Sequence, residues 1–182
     1  LSIKTAHVNL RGSHAGLLYG VQTLSRLIES TEYGFALPCL EIEDAPSFEW
    51  RGVMLDCSRH FLSTRFLKRY IDLLPRLGMN RLHLHLTDDH GWRIEIKSHP
   101  ELTDTGAYIE QEQSRRGFYT QRELSEIVGY AIERNVTVIP EIEIPGHSYA
   151  AVRSLPDLCC TGNPIRNRGH QKDLYCAGKE ST

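Results

Sequence analysis

Three short apolar runs separated by segments of helical spacing limit this chain to few folds. Val53-Met54-Leu55-Asp56-Cys57, Arg81 to Leu86 and Val136 to Ile144 read as strands. Between the first two, Ser63 and Thr64 offer an N-cap, and Phe66, Leu67, Tyr70, Ile71, Leu74 and Leu77 recur along a helix. Gly78 closes that segment, and Pro75 should kink or shorten it. A long loop, about Gly91 to Phe118, follows the second run. Thr120-Gln121-Arg122-Glu123 is then a capping box, with Leu124, Ile127, Val128, Ala131 and Ile132 on the inner face of its helix. Strand, helix, strand, helix, strand requires parallel, right-handed crossovers, so the expected class is α/β. Long loops after strand ends fit the rim of a (β/α)8 barrel. A closed barrel takes eight such units and ~250 residues. Three units are present here, which makes a partial TIM (β/α)8 barrel over residues 46–182 the expected architecture.

Residues 1–45 have a different texture and read as the tail of a preceding unit. Leu17, Val21, Leu24, Leu27 and Ile28 are spaced for a helix between Gly16 and Ile28, and a short strand follows at Cys39 to Glu43. Asp44-Ala45-Pro46-Ser47 is a turn and a plausible boundary. The start, Leu1-Ser2-Ile3-Lys4, has neither an initiator Met nor a signal-peptide layout and reads as the interior of a longer chain.

Of the 182 residues, 40% are apolar and 24% charged, enough for a real core and ordinary for a globular protein. The formal net charge of −2, with no basic block, argues against nucleic acid as a partner. No apolar run reaches the length of a membrane span. Five cysteines are present without zinc-site spacing. Cys159 or Cys160 has the placement to bridge to Cys176, which suits an oxidising compartment; free thiols are the equal alternative. Cys57 reads as a small core residue.

In a βα-barrel the chemistry gathers at the carboxyl ends of the strands. The first strand delivers Arg59 and His60, the second Asp88, Asp89 and His90, and the third His147, with Glu141 and Glu143 at one parity before it. Convergence of arginine, aspartate and histidine from three strand ends is a stronger signal than any one of them. Each also has an ordinary reading. Arg59 can be a surface ion-pair residue, Asp88 and Asp89 turn formers, and His147 a turn histidine. His83 and His85 alternate with leucines and so share one side of the sheet, where hydrogen-bonded packing is the default. Glu141 and Glu143 need partners if buried, and Arg59, His83 and His85 are the nearest. Trp92 reads as packing before it reads as a sugar platform.

Taken together these segments resemble the family 20 glycoside hydrolases, the β-N-acetylhexosaminidases. Arg51-Gly52-Val53-Met54-Leu55-Asp56-Cys57-Ser58-Arg59-His60-Phe61 is similar to that family's first barrel strand. His83-Leu84-His85-Leu86-Thr87-Asp88-Asp89-His90-Gly91-Trp92-Arg93 resembles its second. Gly117-Phe118-Tyr119-Thr120, with Pro140-Glu141-Ile142-Glu143-Ile144-Pro145-Gly146-His147, resembles its third unit. Gly16 to Leu27 is similar to the end of the small α+β domain that precedes the barrel. The likeness covers nearly the whole chain, with departures at Leu84, Pro75 and His90.

The resemblance implies the first three βα units of the barrel, preceded by the tail of an α+β domain. It implies hydrolysis of terminal β-linked GlcNAc or GalNAc in N-acetylhexosamine-containing glycans or chitin oligosaccharides. Configuration is retained through attack by the substrate's own 2-acetamido oxygen, with no metal and no cofactor. Arg59 would bind sugar hydroxyls. Asp88 and His147 would form a polar chain that tunes the acid, over a supporting network of Glu141, His83 and His85. An adjacent Asp-Glu pair performs the chemistry in that family, yet this chain contains no Asp-Glu dipeptide, so it is expected to be inactive alone. For a parent of this family a secreted, periplasmic or lysosomal location is favoured over the cytoplasm.

Two other classes compete. One is a non-catalytic carbohydrate-binding or pseudoenzyme segment. The other is a metal-dependent barrel hydrolase built on His83-x-His85 with Asp88 and His147; it ranks low, because that pair sits inside the strand.

Overall fold

The computed structural model describes residues 1–109 and 112–159. A small N-terminal sheet comes first. Strand β1 (Ser2–Lys4) pairs antiparallel with β2 (His7–Asn9) on one side and with β5 (Leu40–Glu41) on the other. Between them lie helix α1 (His14–Arg26) and a hairpin of β3 (Glu29–Thr31) with β4 (Gly34–Ala36). Helix α1 begins earlier than its apolar spacing suggests, because the Ser13 hydroxyl accepts from the Gly16 N–H at 3.1 Å and sets the start. Its Tyr19 hydroxyl accepts from Arg51 at 3.0 Å and from Asn135 at 3.2 Å, tying the helix to the parallel sheet that follows.

That sheet has three strands: β6 (Gly52–Asp56), β7 (Arg81–His85) and, after the short hairpin of β8 (Thr87–Asp88) and β9 (Gly91–Trp92), β10 (Thr137–Glu141). The order is β6-β7-β10, all parallel, with β7 central. Gly52, Arg81 and Thr137 share one register position, and Asp56, His85 and Glu141 share another. The strand alternation therefore works as expected. Leu82 and Leu84 point to one face, where they are wholly buried with Leu67 and Ile71 of α2 (Thr64–Leu73). Ile127 and Ala131 of α4 (Gln121–Ile132) complete that core; the short α3 (Glu101–Asp104) lies in the loop between β9 and α4. The other face carries Met54, His83, His85 and Glu141, and Met54 is exposed there.

Both helices start where their caps place them. The Ser63 hydroxyl accepts from the Phe66 N–H, and the Thr120–Glu123 capping box forms in full. Pro75 does shorten its helix. α2 stops at Leu73, a 3-10 turn spans Pro75–Leu77, and Gly78 closes it at φ +71°.

The third strand ends at Glu141, three residues before the apolar run does. The last ladder bond runs from Leu86 N–H to the Glu141 carbonyl at 3.2 Å, and the Glu143 N–H turns to the Thr87 hydroxyl at 2.9 Å. A side chain has taken the place of the ladder. Pro140 sits inside β10 at no cost to its pairing. Thr137 N–H bonds toward β7 through Asn80 O, and Glu141 O also faces β7. By parallel-strand alternation, the position of Pro140 faces away.

Arg93, fully buried, joins the loops above the sheet. Its guanidinium donates to Ser58 O through Nε (3.2 Å) and Nη2 (2.7 Å), to Ala107 O (2.9 Å), to Gly117 O (3.0 Å) and to His90 O (3.4 Å). Gly91 makes room for it, since a Cβ there would lie 2.2 Å from Arg93 Cζ. A second apolar cluster lies beyond, with Trp92 and Leu102 packed on Ala150 and Ala151 of α5 (Tyr149–Ser154). The proposed bridge from Cys159 or Cys160 to Cys176 involves positions outside the described residues.

Candidate active site

The carboxyl ends of β6, β7 and β10 bring ionisable side chains from all three strands into one continuous network. Asp88 is at its centre, 1% exposed. Its Oδ2 lies 2.8 Å from Arg59 Nη2 and 3.0 Å from His85 Nε2, and its Oδ1 accepts from the Asp89 N–H. His85, 4% exposed, turns its other ring nitrogen to Glu141 Oε1 at 3.0 Å, with Glu143 Oε2 at 3.9 Å. Glu141 also meets His83 Nε2 at 2.5 Å. His147 Nδ1 meets Glu143 Oε2 at 2.8 Å.

Register explains why these groups meet. Asp56, His85 and Glu141 are directly opposed across three strands, and the β8–β9 hairpin folds Asp88 back over His85. His147 enters from the turn after β10 with a left-handed backbone, φ +51°.

Electrostatics follow from the contacts. Burial alone would push the Asp88 carboxyl up, but hydrogen bonds from His85 and the Asp89 N–H, with Arg59 beside it, hold it below the usual carboxylate range. Burial would push His85 down; Asp88 and Glu141, one at each ring nitrogen, reverse this and favour the imidazolium. Glu141 is likewise drawn down, against burial, by His85 and His83. The hydrogen bond to Glu143 raises His147.

All six residues singled out in the sequence are placed in or beside this network, but two contacts differ from expectation. His147 pairs with Glu143, and its Nδ1 stands 3.8 Å from Asp88 Oδ2, beyond a direct hydrogen bond. Arg59 is held by two carboxylates, Asp88 and Asp56, the latter at 2.6 Å, while its side chain remains 46% exposed. Asp56 was visible only as an acid within an apolar run. Its parity with Met54 and its place at the strand end were the available signals. Asp56 is itself held low by Arg59 and by backbone donors that outweigh burial, and its bond raises Arg59. Of the turn carboxylates, Asp89 caps: its Oδ1 accepts from the Tyr149 N–H at 3.0 Å, at the start of α5. Trp92 is buried packing, with its indole N–H on Ile94 O.

Parallel strands crossed by helices, with carboxylates and imidazoles gathered at the strands' carboxyl ends, are the arrangement by which βα enzymes present an active site. Residues 48–182 match the family described as glycosyl hydrolase family 20, catalytic domain. A beta-hexosaminidase of Porphyromonas gingivalis is 44% identical over 96% of this chain, and one of Vibrio furnissii is 46% identical over 86%. The matched stretches are 24% and 28% of those relatives, so the chain spans about a quarter of their length. Among solved structures, the Streptomyces plicatus N-acetyl-beta-hexosaminidase in complex with Thio-NAglucal aligns with TM-score 0.78 at 43% identity, over 84% of this chain and 32% of that one. The Vibrio harveyi GH20 exo beta-N-acetylglucosaminidase in complex with N-acetylglucosamine aligns at 0.76 and 43%, over 82% and 25%. This chain belongs to glycosyl hydrolase family 20.

Proposed function

We propose that these residues are the first three βα units of a β-N-acetylhexosaminidase barrel, residues 46–182, preceded by the end of its α+β domain, residues 1–45. The start of the family match at residue 48 and the parallel order β6-β7-β10 support that division. The reaction is hydrolysis of terminal β-linked GlcNAc or GalNAc, retaining configuration through the substrate's acetamido oxygen. The substrates are N-acetylhexosamine-containing glycans, including chitin oligosaccharides. The names of its relatives support this class, including the N,N'-diacetylchitobiase of Vibrio harveyi, 40% identical over 85% of this chain.

The Asp88-centred network carries the reading. Arg59 is charged, half-exposed and fixed by Asp56 and Asp88, which suits it to donate to sugar hydroxyls. Asp88 holds Arg59 and His85 in place. His147, with Glu143, stands at the open end of the network and orients the acid supplied by an Asp-Glu pair. These 182 residues contain no such pair, so they should not turn over an aryl β-N-acetylglucosaminide by themselves.

The test uses the longer enzyme that carries this chain. Asp88→Asn and His147→Ala should each lower kcat by about 10²-fold, the scale of a misplaced reacting group, with little change in KM. Arg59→Ala should reduce kcat/KM through binding of substrate and transition state. Wild-type kinetics in all three would refute the site.

A further inference from the structure

A second chemistry lies within reach of the same strand ends. Among the described residues, one nitrogen of His85, one nitrogen of His147 and one carboxylate oxygen of Glu143 lie within 4.8 Å of one another. Glu143 Oε2 stands between the imidazoles, 2.8 Å from His147 Nδ1 and 3.9 Å from His85 Nδ1. Bonds of 2.0–2.2 Å to a tetrahedral ion put neighbouring ligand atoms about 3.3–3.6 Å apart, so the His147–Glu143 contact would open and the wider separations close, by no more than about 1.5 Å, to form a three-ligand site. The two rings are edge to face, 88° apart with centroids separated by 6.0 Å.

An independent observation concerns the far side of His85. Its Nε2 is held by the buried Asp88 carboxylate at 3.0 Å. A carboxylate behind a ligating imidazole fixes the ring's orientation and tautomer; the other nitrogen, Nδ1, faces Glu141 Oε1 at 3.0 Å, so an ion ligated there displaces the Nδ1 proton and that contact. Glu143 is steadied through its own backbone, on the Thr87 hydroxyl. Glu141 Oε1, 3.0 Å from His85 Nδ1, borders the same position as a fourth oxygen.

We propose that His85, Glu143 and His147 form a binding site for a divalent transition ion of the Zn2+ class. Two imidazoles and a carboxylate suit zinc, cobalt or copper; magnesium and calcium require shells of oxygen. The ion is not a cofactor of the hydrolysis. Seated there it takes His147 and Glu143 out of their hydrogen bond, and it therefore opposes the reaction proposed above. That consequence depends on the hexosaminidase reading, whereas the binding does not.

Titration of the 182-residue chain with Co2+ tests the site through the visible absorption of the bound ion, with no turnover required. One equivalent should bind, and Zn2+ should displace it. His147→Ala and Glu143→Gln should each weaken binding by about tenfold or more, and Asp88→Asn, acting from behind His85, by about 10–100-fold. His7→Ala, at an exposed position of β2, and a variant with serine at Cys159, Cys160 and Cys176, should bind as the parent chain does. Absence of the absorption would overturn the proposal. So would affinity that survives both His147→Ala and Glu143→Gln, or affinity lost with the cysteines.

Discussion

Replacing Arg93 by lysine should destabilise this chain more than replacing it by methionine. The guanidinium is wholly buried and donates to four carbonyls. Ala107 O keeps a second partner, the Gly117 N–H at 3.3 Å, and the bond to His90 O is long. The main loss from either variant falls on Ser58 O and Gly117 O. At about 1–3 kcal/mol per stranded acceptor, that costs about 2–6 kcal/mol. Against this stands the cost of burying the charge. Burial pulls Arg93 well below its ordinary value, down to about 10, which corresponds to about 3 kcal/mol of penalty against the cation. Methionine fills part of the volume and removes that penalty, so its net cost should be no more than about 3 kcal/mol, the loss less the relief. Lysine retains a buried ammonium, lacks the planar fork and cannot reach Ser58, Ala107 and Gly117 together. Its cost should approach the full loss. Equilibrium urea unfolding, followed by fluorescence of the buried neighbour Trp92, measures both. A lysine variant as stable as the parent, or more stable than the methionine variant, would refute the account of Arg93 as a carbonyl-satisfying hub.

Two further outcomes rest on the same geometry. Gly91→Ala places a Cβ against the Arg93 guanidinium and should cost about 1–3 kcal/mol; beside Arg93→Met the same change should cost less, and strict additivity in the double-mutant cycle would count against direct contact. Thr120→Ala removes the cap of α4 and should cost about 1 kcal/mol. The Thr120 N–H and hydroxyl hold the Glu123 carboxyl below its usual range, so their contribution is present above the unfolded-state value and is lost as pH falls through the folded one. Urea midpoints measured from neutral to acid pH should therefore show a shallower acid limb in Glu123→Gln, which no longer titrates there; a limb as steep as the parent's would contradict the capping box.

Much of the fold was legible because it is written locally. Ser63 and Thr120 mark helix starts by their own hydroxyls, and Leu82 and Leu84 against His83 and His85 show a two-residue period. Pro75 and Gly78 mark a helix end through backbone chemistry. The parts that were not legible depend on partners distant in sequence. No local pattern indicates that the Glu143 N–H prefers Thr87 to a ladder position, so the third strand was read too long. Asp56 became part of the site only when register set it opposite His85. His147 lay within reach of two carboxylates, and the turn after β10 brought it closer to Glu143 than to Asp88. Arg93 stood in the most telling motif of the chain, yet its carbonyl partners at Ser58, Ala107 and Gly117 come from three separate loops.

Pro140 bears on how this polypeptide avoids its neighbours. The outer margin of β10 pairs with nothing among the described residues, and such a margin is a template for strands of other molecules. The proline, next to the last residue of β10, leaves a gap in its outer row of donors, while the inner row to β7 stays whole. An arriving foreign strand meets an interrupted ladder and gains little from backbone bonding alone. One imino acid thus makes that margin a poorer template for backbone pairing.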